Sequence, residues 1–152
     1  MGDDLLELEN FLPYRLNRLA EAVSRGFSRL YRERYGLTRP EWRLLATLGQ
    51  YGTMTATAVG RHSSMHKTKV SRAVSALERR RWLQRETDAE DRRIEHLTLT
   101  RSGLDAYREL VPVAHAFQKQ MLERMNAGDR DAVLAGLKAL EAVAAIADPA
   151  CR

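Results

Sequence analysis

The sequence predicts a mainly α-helical fold with a small β wing, in which a winged helix-turn-helix lobe is joined to a helical dimerisation region built from the N- and C-terminal helices. Two observations predict this fold class. Residues 54–103 contain, in order, a short helix, a turn, a basic helix and a charged hairpin. Both ends of the chain instead carry long segments in which apolar residues recur at helical spacing.

The first helix is predicted from about Leu5 or Asn10 to Tyr35, because apolar residues recur there at intervals of three and four. Gly36 follows the last periodic residue and is expected to end this helix. Thr38 can cap a second helix, since Glu41 lies three residues later and completes a capping box. The buried side of the second helix is expected to carry Trp42, Leu45 and Leu48.

A helix-turn-helix is predicted in the middle of the chain. Thr55 is expected to cap a third helix over residues 56–61, and residues 62–65 form the turn after it. A fourth helix follows from about His66 to Arg81, with basic and polar side chains on its outer face. Its inner stripe consists of Val70, Ala73, Val74 and Leu77.

The wing is predicted from two strand-like runs, residues 83–87 and 94–99, which flank the charged segment 88–93. After it, a fifth helix is expected from a cap at Thr100 to about Met125. A sixth helix is expected to begin at Asp129 and to reach about Ala147.

The helices at the two ends carry more apolar surface than one small core covers. A second copy of the chain would bury the excess, although a bundle within one chain is an alternative. We therefore assign residues 1–36 and 101–152 to a helical dimerisation region and residues 37–100 to the winged helix-turn-helix, as parts of one intertwined domain.

Basic charge is concentrated in one window. The whole chain carries a formal net charge of +5, but residues 61–85 contain eight Lys and Arg against one Glu. A local basic stripe is the footprint of a phosphate-binding surface, whereas a charge run by itself usually marks a solvated helix face. Because this stripe coincides with the helix-turn-helix pattern, the sequence predicts binding to double-stranded DNA.

Several classes of protein are disfavoured by composition. The single cysteine, Cys151, lies beside the C-terminus, so no internal disulfide is predicted. No apolar run approaches the roughly 20 residues of a membrane span, and the acidic N-terminus is unlike a signal peptide, so we expect a cytoplasmic protein without membrane contact. The chain has neither a glycine-rich phosphate loop nor a nucleophile with a spaced base, so we expect no enzyme activity and no cofactor.

Four segments resemble the MarR family of transcriptional regulators, named for multiple antibiotic resistance. They are residues 40–45, 65–72, 88–93 and 99–103, within a resemblance that spans about residues 12–140. The resemblance implies a homodimer that represses genes, commonly genes near its own, and that a small ligand releases from DNA. Two departures from the family pattern concern His66, where a capping Asp is common, and Trp82, where a glycine is common.

The candidate DNA-binding residues come from the fourth helix and the wing. If that helix enters the major groove with its N-terminus first, the residues from Lys67 onward are the strongest candidates, without an assignment to base or phosphate. The resemblance places Arg93 at the wing tip with Asp91 fixing its direction, and Arg92 is a second candidate; a solvated hairpin is the alternative. The helix candidates are Ser64, His66, Lys67, Thr68, Lys69 and Arg72.

The resemblance also implies an effector site between the dimerisation helices and the DNA-binding lobe. Arg15 can meet a carboxylate and Trp42 can stack on an aromatic ring, while Tyr14 and His115 are further candidates. Residues 11–15 are similar to family members that respond to aromatic acids or their coenzyme A thioesters. Ordinary packing of Trp42 and an interhelical salt bridge of Arg15 weigh equally as alternatives.

Two other functions share parts of this pattern. A non-specific architectural DNA-binding protein would show the same basic stripe, but it would need neither long dimer helices nor a cavity. A metal-responsive regulator would use His62 and His66, which lie four residues apart but are expected to straddle the turn.

Overall fold

A computed structural model describes residues 5–147 of the chain, and Cys151 lies outside the described residues. The described residues form helices in six places and strands in three, and this confirms the mainly α-helical fold class with a small β wing. The elements are α1 (Leu12–Tyr35), α2 (Arg39–Tyr51), β1 (Met54–Thr55), α3 (Ala56–Ser63), α4 (Lys67–Arg79), β2 (Leu83–Thr87), β3 (Glu95–Leu99), α5 (Arg101–Glu123) and α6 (Ala127–Ala147).

The helix boundaries follow from local capping. Gly36 has φ of +64° and ends α1, as predicted. At the start of α2, the Glu41 amide donates to Thr38 Oγ1 at 3.4 Å and the Thr38 amide donates to Glu41 Oε2 at 3.2 Å, so the predicted capping box is confirmed. The start of α1 at Leu12 excludes the longer helix from Leu5 that the sequence also allowed.

Two local features differ from the predictions. The prediction that α6 begins at Asp129 was wrong by two residues. Asn126 Oδ1 accepts from the Asp129 amide at 2.8 Å and thereby caps a helix that begins at Ala127. The strand β1 was not predicted, since two residues are too short to show an alternating pattern.

The small sheet has the order β1-β3-β2 with antiparallel neighbours. Met54 of β1 and Arg85 of β2 both pair with Leu97 of β3, which is 1% exposed. The core beside this sheet is made by α2, α3 and α4, whose inner residues are removed from water and supply the main stabilisation of the lobe. Its buried members include Leu44, Leu45, Leu48, Val59, Val70, Ala73, Val74, Leu77 and Leu83.

The chain divides into two compact units, Met1–Val113 and Ala114–Arg152. The second unit contains the last turns of α5 and the whole of α6, in which Leu134 and Val143 are exposed in the single chain. In the described part of the chain, no helix is both long enough and apolar enough to cross a membrane. The division into a dimerisation region and a DNA-binding region stays a prediction.

The corner after α4 turns at Arg81, which has φ of +59°. The resemblance gave Trp82 as the residue that stands where a glycine is common, whereas the left-handed conformation that favours glycine lies one residue earlier, at Arg81. Trp82 is half-buried instead, and its ring meets the ring of Tyr35 edge-on, with centroids 5.2 Å apart.

Arg80 joins the end of α4 to the end of α1. Its Nη1 donates to the Tyr35 carbonyl at 2.7 Å and its Nη2 donates to the Gly36 carbonyl at 3.3 Å. The guanidinium also lies 5.2 Å from the ring centroid of Trp82. A cation at the C-terminal end of α1 is favoured by the helix dipole, so this contact satisfies backbone carbonyls and charge together.

Arg81→Gly is expected to raise the free energy of unfolding by about 0.5–1 kcal/mol. A left-handed conformation costs an L-residue roughly 1–2 kcal/mol, and the greater freedom of glycine in the unfolded chain cancels part of this gain. Urea denaturation of the DNA-free protein measures the difference. Arg79→Gly, at the last helical residue of α4, is the control and is expected to lower stability by up to about 1 kcal/mol. A less stable Arg81→Gly variant would contradict the assignment of strain.

Candidate DNA-binding surface

The turn between α3 and α4 is built from local contacts. Thr55 Oγ1 accepts from the Ala58 amide at 3.2 Å and caps α3, as predicted. Ser64 ends α3 in the left-handed conformation, with φ of +52°. A side chain at Gly60 would lie 3.1 Å from the Met65 carbonyl oxygen, so the small residue lets the chain fold back closely. This turn fixes where α4 begins relative to α3.

The inner and outer faces of α4 are divided as the sequence predicted. The inner stripe from Val70 to Leu77 is buried, and all six candidate DNA-binding residues are exposed. The structure brings these six together at the turn and along the first half of α4. They are Ser64, His66, Lys67, Thr68, Lys69 and Arg72.

His66 is the N-cap of α4. Its Nδ1 accepts from the Thr68 amide at 3.4 Å, which is long for a hydrogen bond. Histidine is a poorer N-cap than the Asp that is common at this position, and the long distance agrees with this. His62 lies on α3 instead, with its ring edge-on to Tyr51 at 4.6 Å between centroids. Among residues 5–147, no group of three or more His, Cys, Asp or Glu is arranged to hold a metal ion.

Two arginine side chains of the basic window, residues 61–85, are engaged in contacts within the protein. Arg80 holds the end of α1, and Arg85 Nη2 lies 2.7 Å from Glu78 Oε2 while its Nη1 lies 3.4 Å from Glu95 Oε2. The hydrogen bonds to Glu78 raise the pKa of Arg85 above its ordinary value. The surface offered to phosphates therefore contains fewer cations than the count along the sequence suggests.

The wing loop is organised around Asp88. Its Oδ1 accepts from the amides of Glu90 and Asp91, both at 2.9 Å, and its Oδ2 lies 2.8 Å from His96 Nε2. The hydrogen bond from His96, followed by those from the two amides, lowers the pKa of Asp88 to about 2. Asp88 is therefore an anion over the whole physiological range of pH.

Arg93 lies at the wing with its side chain 90% exposed. Its Nε and Nη2 each lie 3.0 Å from the carboxylate of Asp91, and its own amide donates to Asp91 Oδ1 at 3.0 Å. These bonds lower the pKa of Asp91 and fix the fork of the guanidinium. Arg92 is exposed beside it. The loop thus presents cations to solvent with at least one of them held in a defined direction.

Three of the candidate effector residues, Tyr14, Arg15 and Trp42, belong to the first compact unit, and the structure separates Trp42 from the other two. Tyr14 and Arg15 line an open cavity of about 560 Å³ along the first turns of α1, whose other lining residues are Glu9, Leu12, Leu16, Arg18 and Leu19. Trp42 does not line this cavity, because it packs against two aromatic rings of α1. Its centroid lies 5.1 Å from that of Phe27, edge-on, and 5.6 Å from that of Tyr31, stacked. His115 is an exposed residue of α5 within the second unit.

Asp88, His96 and Arg80 were not among the candidates from the sequence. Asp88 opens the charged segment of the wing, so the turn-forming tendency of Asp was a usable signal. His96 and Arg80 carried no such signal. Their partners lie 8 and 45 residues away along the chain, and only the folded hairpin and the contact of α1 with α4 bring them together.

An exposed basic helix that follows a tight helix-helix turn, beside a hairpin with a directed arginine, defines a winged-helix DNA-binding protein. Residues 35–94 match the sequence model of the MarR family. This segment, which contains the winged helix-turn-helix, therefore belongs to the MarR family, and the proteins similar to the chain are transcriptional regulators.

Three relatives illustrate the similarity. The HTH-type transcriptional regulator YwoH of Bacillus subtilis is 25% identical over 121 residues, which cover 80% of this chain and 87% of YwoH. The transcriptional repressor MprA of Escherichia coli is 32% identical over 65 residues, which cover 43% of this chain and 37% of MprA. The crystal structure of the MarR family regulator SPO1453 of Silicibacter pomeroyi is 28% identical with a TM-score of 0.73, covering 90% of this chain and 98% of that chain.

Proposed function

We propose that the protein acts as a homodimeric repressor that binds a palindromic operator through α4 and the wing, and that a small anionic effector releases it. The observation that carries this proposal is the set of exposed Lys and Arg at the start of α4, beside an arginine that Asp91 holds at the wing. Major-groove base edges and neighbouring phosphates are the ligands that such an arrangement fits. The similarity to the repressor MprA supports repression.

The proposal of a homodimer rests on apolar surface near the N-terminus. Leu5, Leu6 and Leu19 are 79%, 64% and 61% exposed in the single chain, although large apolar side chains favour burial. Covering this surface with a second copy would assign residues 1–36 and 101–152 to the dimer. Two copies of α4 spaced about one DNA turn apart, roughly 34 Å, would then read a palindrome.

The proposal of an effector rests on the cavity beside Arg15. Its guanidinium can pair with a carboxylate in two-point fashion, and Tyr14 and the apolar residues around it suit an aromatic acid or an acyl-coenzyme A. The packing of Trp42 against Phe27 and Tyr31 favours a structural role for that residue. His115 remains a candidate through its place on α5. An effector releases DNA only if it binds the free conformation more tightly than the DNA-bound one.

A fluorescence-anisotropy titration tests the function. The protein is titrated against DNA from its own upstream region and against scrambled DNA at about 150 mM salt, with light scattering to measure its mass in solution. Specific repressors prefer their site by roughly a thousandfold or more. Equal binding to both DNAs would instead support an architectural DNA-binding protein, and a monomeric mass would contradict the dimer.

A further inference from the structure

We propose that His96 is a positioning residue for DNA binding, which acts on Arg93 through the carboxylates of Asp88 and Asp91. The inference rests on the proposed DNA contact of Arg93. His96 itself lies on β3, behind the loop that carries the wing arginine.

The first link joins His96 to Asp88. The distance from His96 Nε2 to Asp88 Oδ2 is 2.8 Å, and both side chains are only partly exposed. An ionised carboxylate accepts hydrogen bonds and cannot donate them, so this contact requires a proton on Nε2. His96 thus fixes one oxygen of Asp88 from the side of the sheet.

The second link joins Asp88 to the backbone of the loop. The other carboxylate oxygen, Oδ1, accepts from the amides of Glu90 and Asp91. The Asp88 amide donates to the Ile94 carbonyl, and the Ile94 amide donates to the Asp91 carbonyl, both at 2.9 Å. The backbone of Asp91 is therefore placed by bonds that converge on Asp88.

The third link joins Asp91 to Arg93. The carboxylate of Asp91 binds Nε and Nη2 of Arg93 and also accepts from its amide. Within the part of the chain that the structure describes, Asp91 is the one side chain that holds this guanidinium. The direction of Arg93 is thus set by Asp91, whose own place is set by Asp88.

His96 connects this relay to the sheet and the core of the lobe. It pairs with Thr55 of β1 and Glu86 of β2, and its neighbour Leu97 is buried in the core. Without the imidazole, Asp88 would keep its two amide bonds but lose the contact that anchors its side chain to the sheet. Arg93 would then sample more directions before it meets DNA. Binding would be weaker, because the entropy cost of ordering the Arg93 side chain on DNA would be larger.

A double-mutant cycle tests the relay on the full-length protein. Operator affinity is measured at fixed salt for His96→Ala, Arg93→Ala and the double variant. We expect roughly a 3- to 10-fold loss for His96→Ala, a larger loss for Arg93→Ala, and no further loss when His96→Ala is added to Arg93→Ala. Thr98→Ala is the matched control, since Thr98 lies on the same strand as His96 but away from the loop, and the substitution removes the hydrogen bond between the hydroxyls of Thr98 and Thr53.

Two further measurements separate positioning from a general effect on the strand. His96→Gln retains an N–H donor and is expected to bind DNA within about twofold of wild type. In His96→Ala, NMR titration should show the pKa of Asp88 raised from about 2 towards its ordinary value of 3.8. Thermal unfolding of each variant confirms that folded protein is compared.

The outcomes distinguish the two proposals. The relay is overturned, and the wing contact stands, if Arg93→Ala weakens operator binding but His96→Ala does not. The same conclusion follows if His96→Ala lowers operator affinity as much in the Arg93→Ala variant as in the wild type. If Arg93→Ala leaves affinity unchanged, the wing contact fails, and the relay fails with it. If the pKa of Asp88 does not change in His96→Ala, the link between His96 and Asp88 is overturned. The relay then fails as well, because it depends on that link.

Discussion

Gly103→Ala is expected to lower the free energy of unfolding by about 2–3 kcal/mol, the upper part of the range for overpacked sites. A Cβ at this position in the first turn of α5 would overlap the carbonyl group of Trp82. That carbonyl cannot easily move, because it accepts from the Thr100 amide at 2.9 Å while Thr100 Oγ1 accepts from the Gly103 amide at 3.2 Å. Urea denaturation measures the change, and the melting temperature should fall by roughly 5–10 °C.

The control for this prediction is Gly136→Ala in α6. A Cβ there would meet no atom within 4 Å, so the substitution should be neutral or should stabilise the helix by up to about 1 kcal/mol. Equal stability of Gly103→Ala and wild type would show that the corner between Trp82 and α5 yields more easily than its hydrogen bonds indicate.

Arg72→Ala is expected to weaken operator binding by roughly 10- to 100-fold, the effect of losing a specific contact of about 1–3 kcal/mol. Arg72 is exposed on α4, and among residues 5–147 it has neither an ion-pair partner nor a hydrogen-bond partner, so its guanidinium is available to DNA. Anisotropy at fixed salt measures the loss. Arg79→Ala removes the same charge two turns further along α4 and should cost about threefold or less.

The salt dependence of Arg72→Ala separates two kinds of contact. If Arg72 binds a phosphate, its loss should weaken binding to all DNA sequences alike. It should also reduce the slope of log affinity against log salt concentration by about one. If it reads a base, the loss should fall mainly on the native operator and the preference at one position should relax. Equal losses for Arg72→Ala and Arg79→Ala would contradict a contact specific to the first half of α4.

Sequence periodicity and capping account for most of the fold. The stripe from Val70 to Leu77 is buried as predicted because helical spacing places those residues on one face. Thr38 and Thr55 cap the helices that follow them, since their hydroxyls satisfy amides within three residues. Such interactions are local, so the residues that make them are visible in the sequence.

The remaining features depend on partners that are remote along the chain. The exposed face of α4 could be predicted, but the internal partners of two cations in the basic window could not. Arg80 binds carbonyls at the end of α1, and Arg85 of β2 pairs with Glu78 of α4 and Glu95 of β3. The left-handed conformation of Arg81 could not be predicted either, because only backbone geometry identifies the residue that adopts it. Trp42 illustrates the same difficulty, because an aromatic residue that can stack on a ligand can equally stack on Tyr31.

The bond from Arg80 to the last carbonyls of α1 makes two helices share one pivot. With 24 residues, α1 is a rod of about 36 Å, and a swing of about 5° around that pivot carries its far end through roughly 3 Å. The same geometric relation holds in the opposite direction. A displacement of about 3 Å at the N-terminal end of α1, where Arg15 lies, corresponds to a rotation of only about 5° at the contact with Arg80.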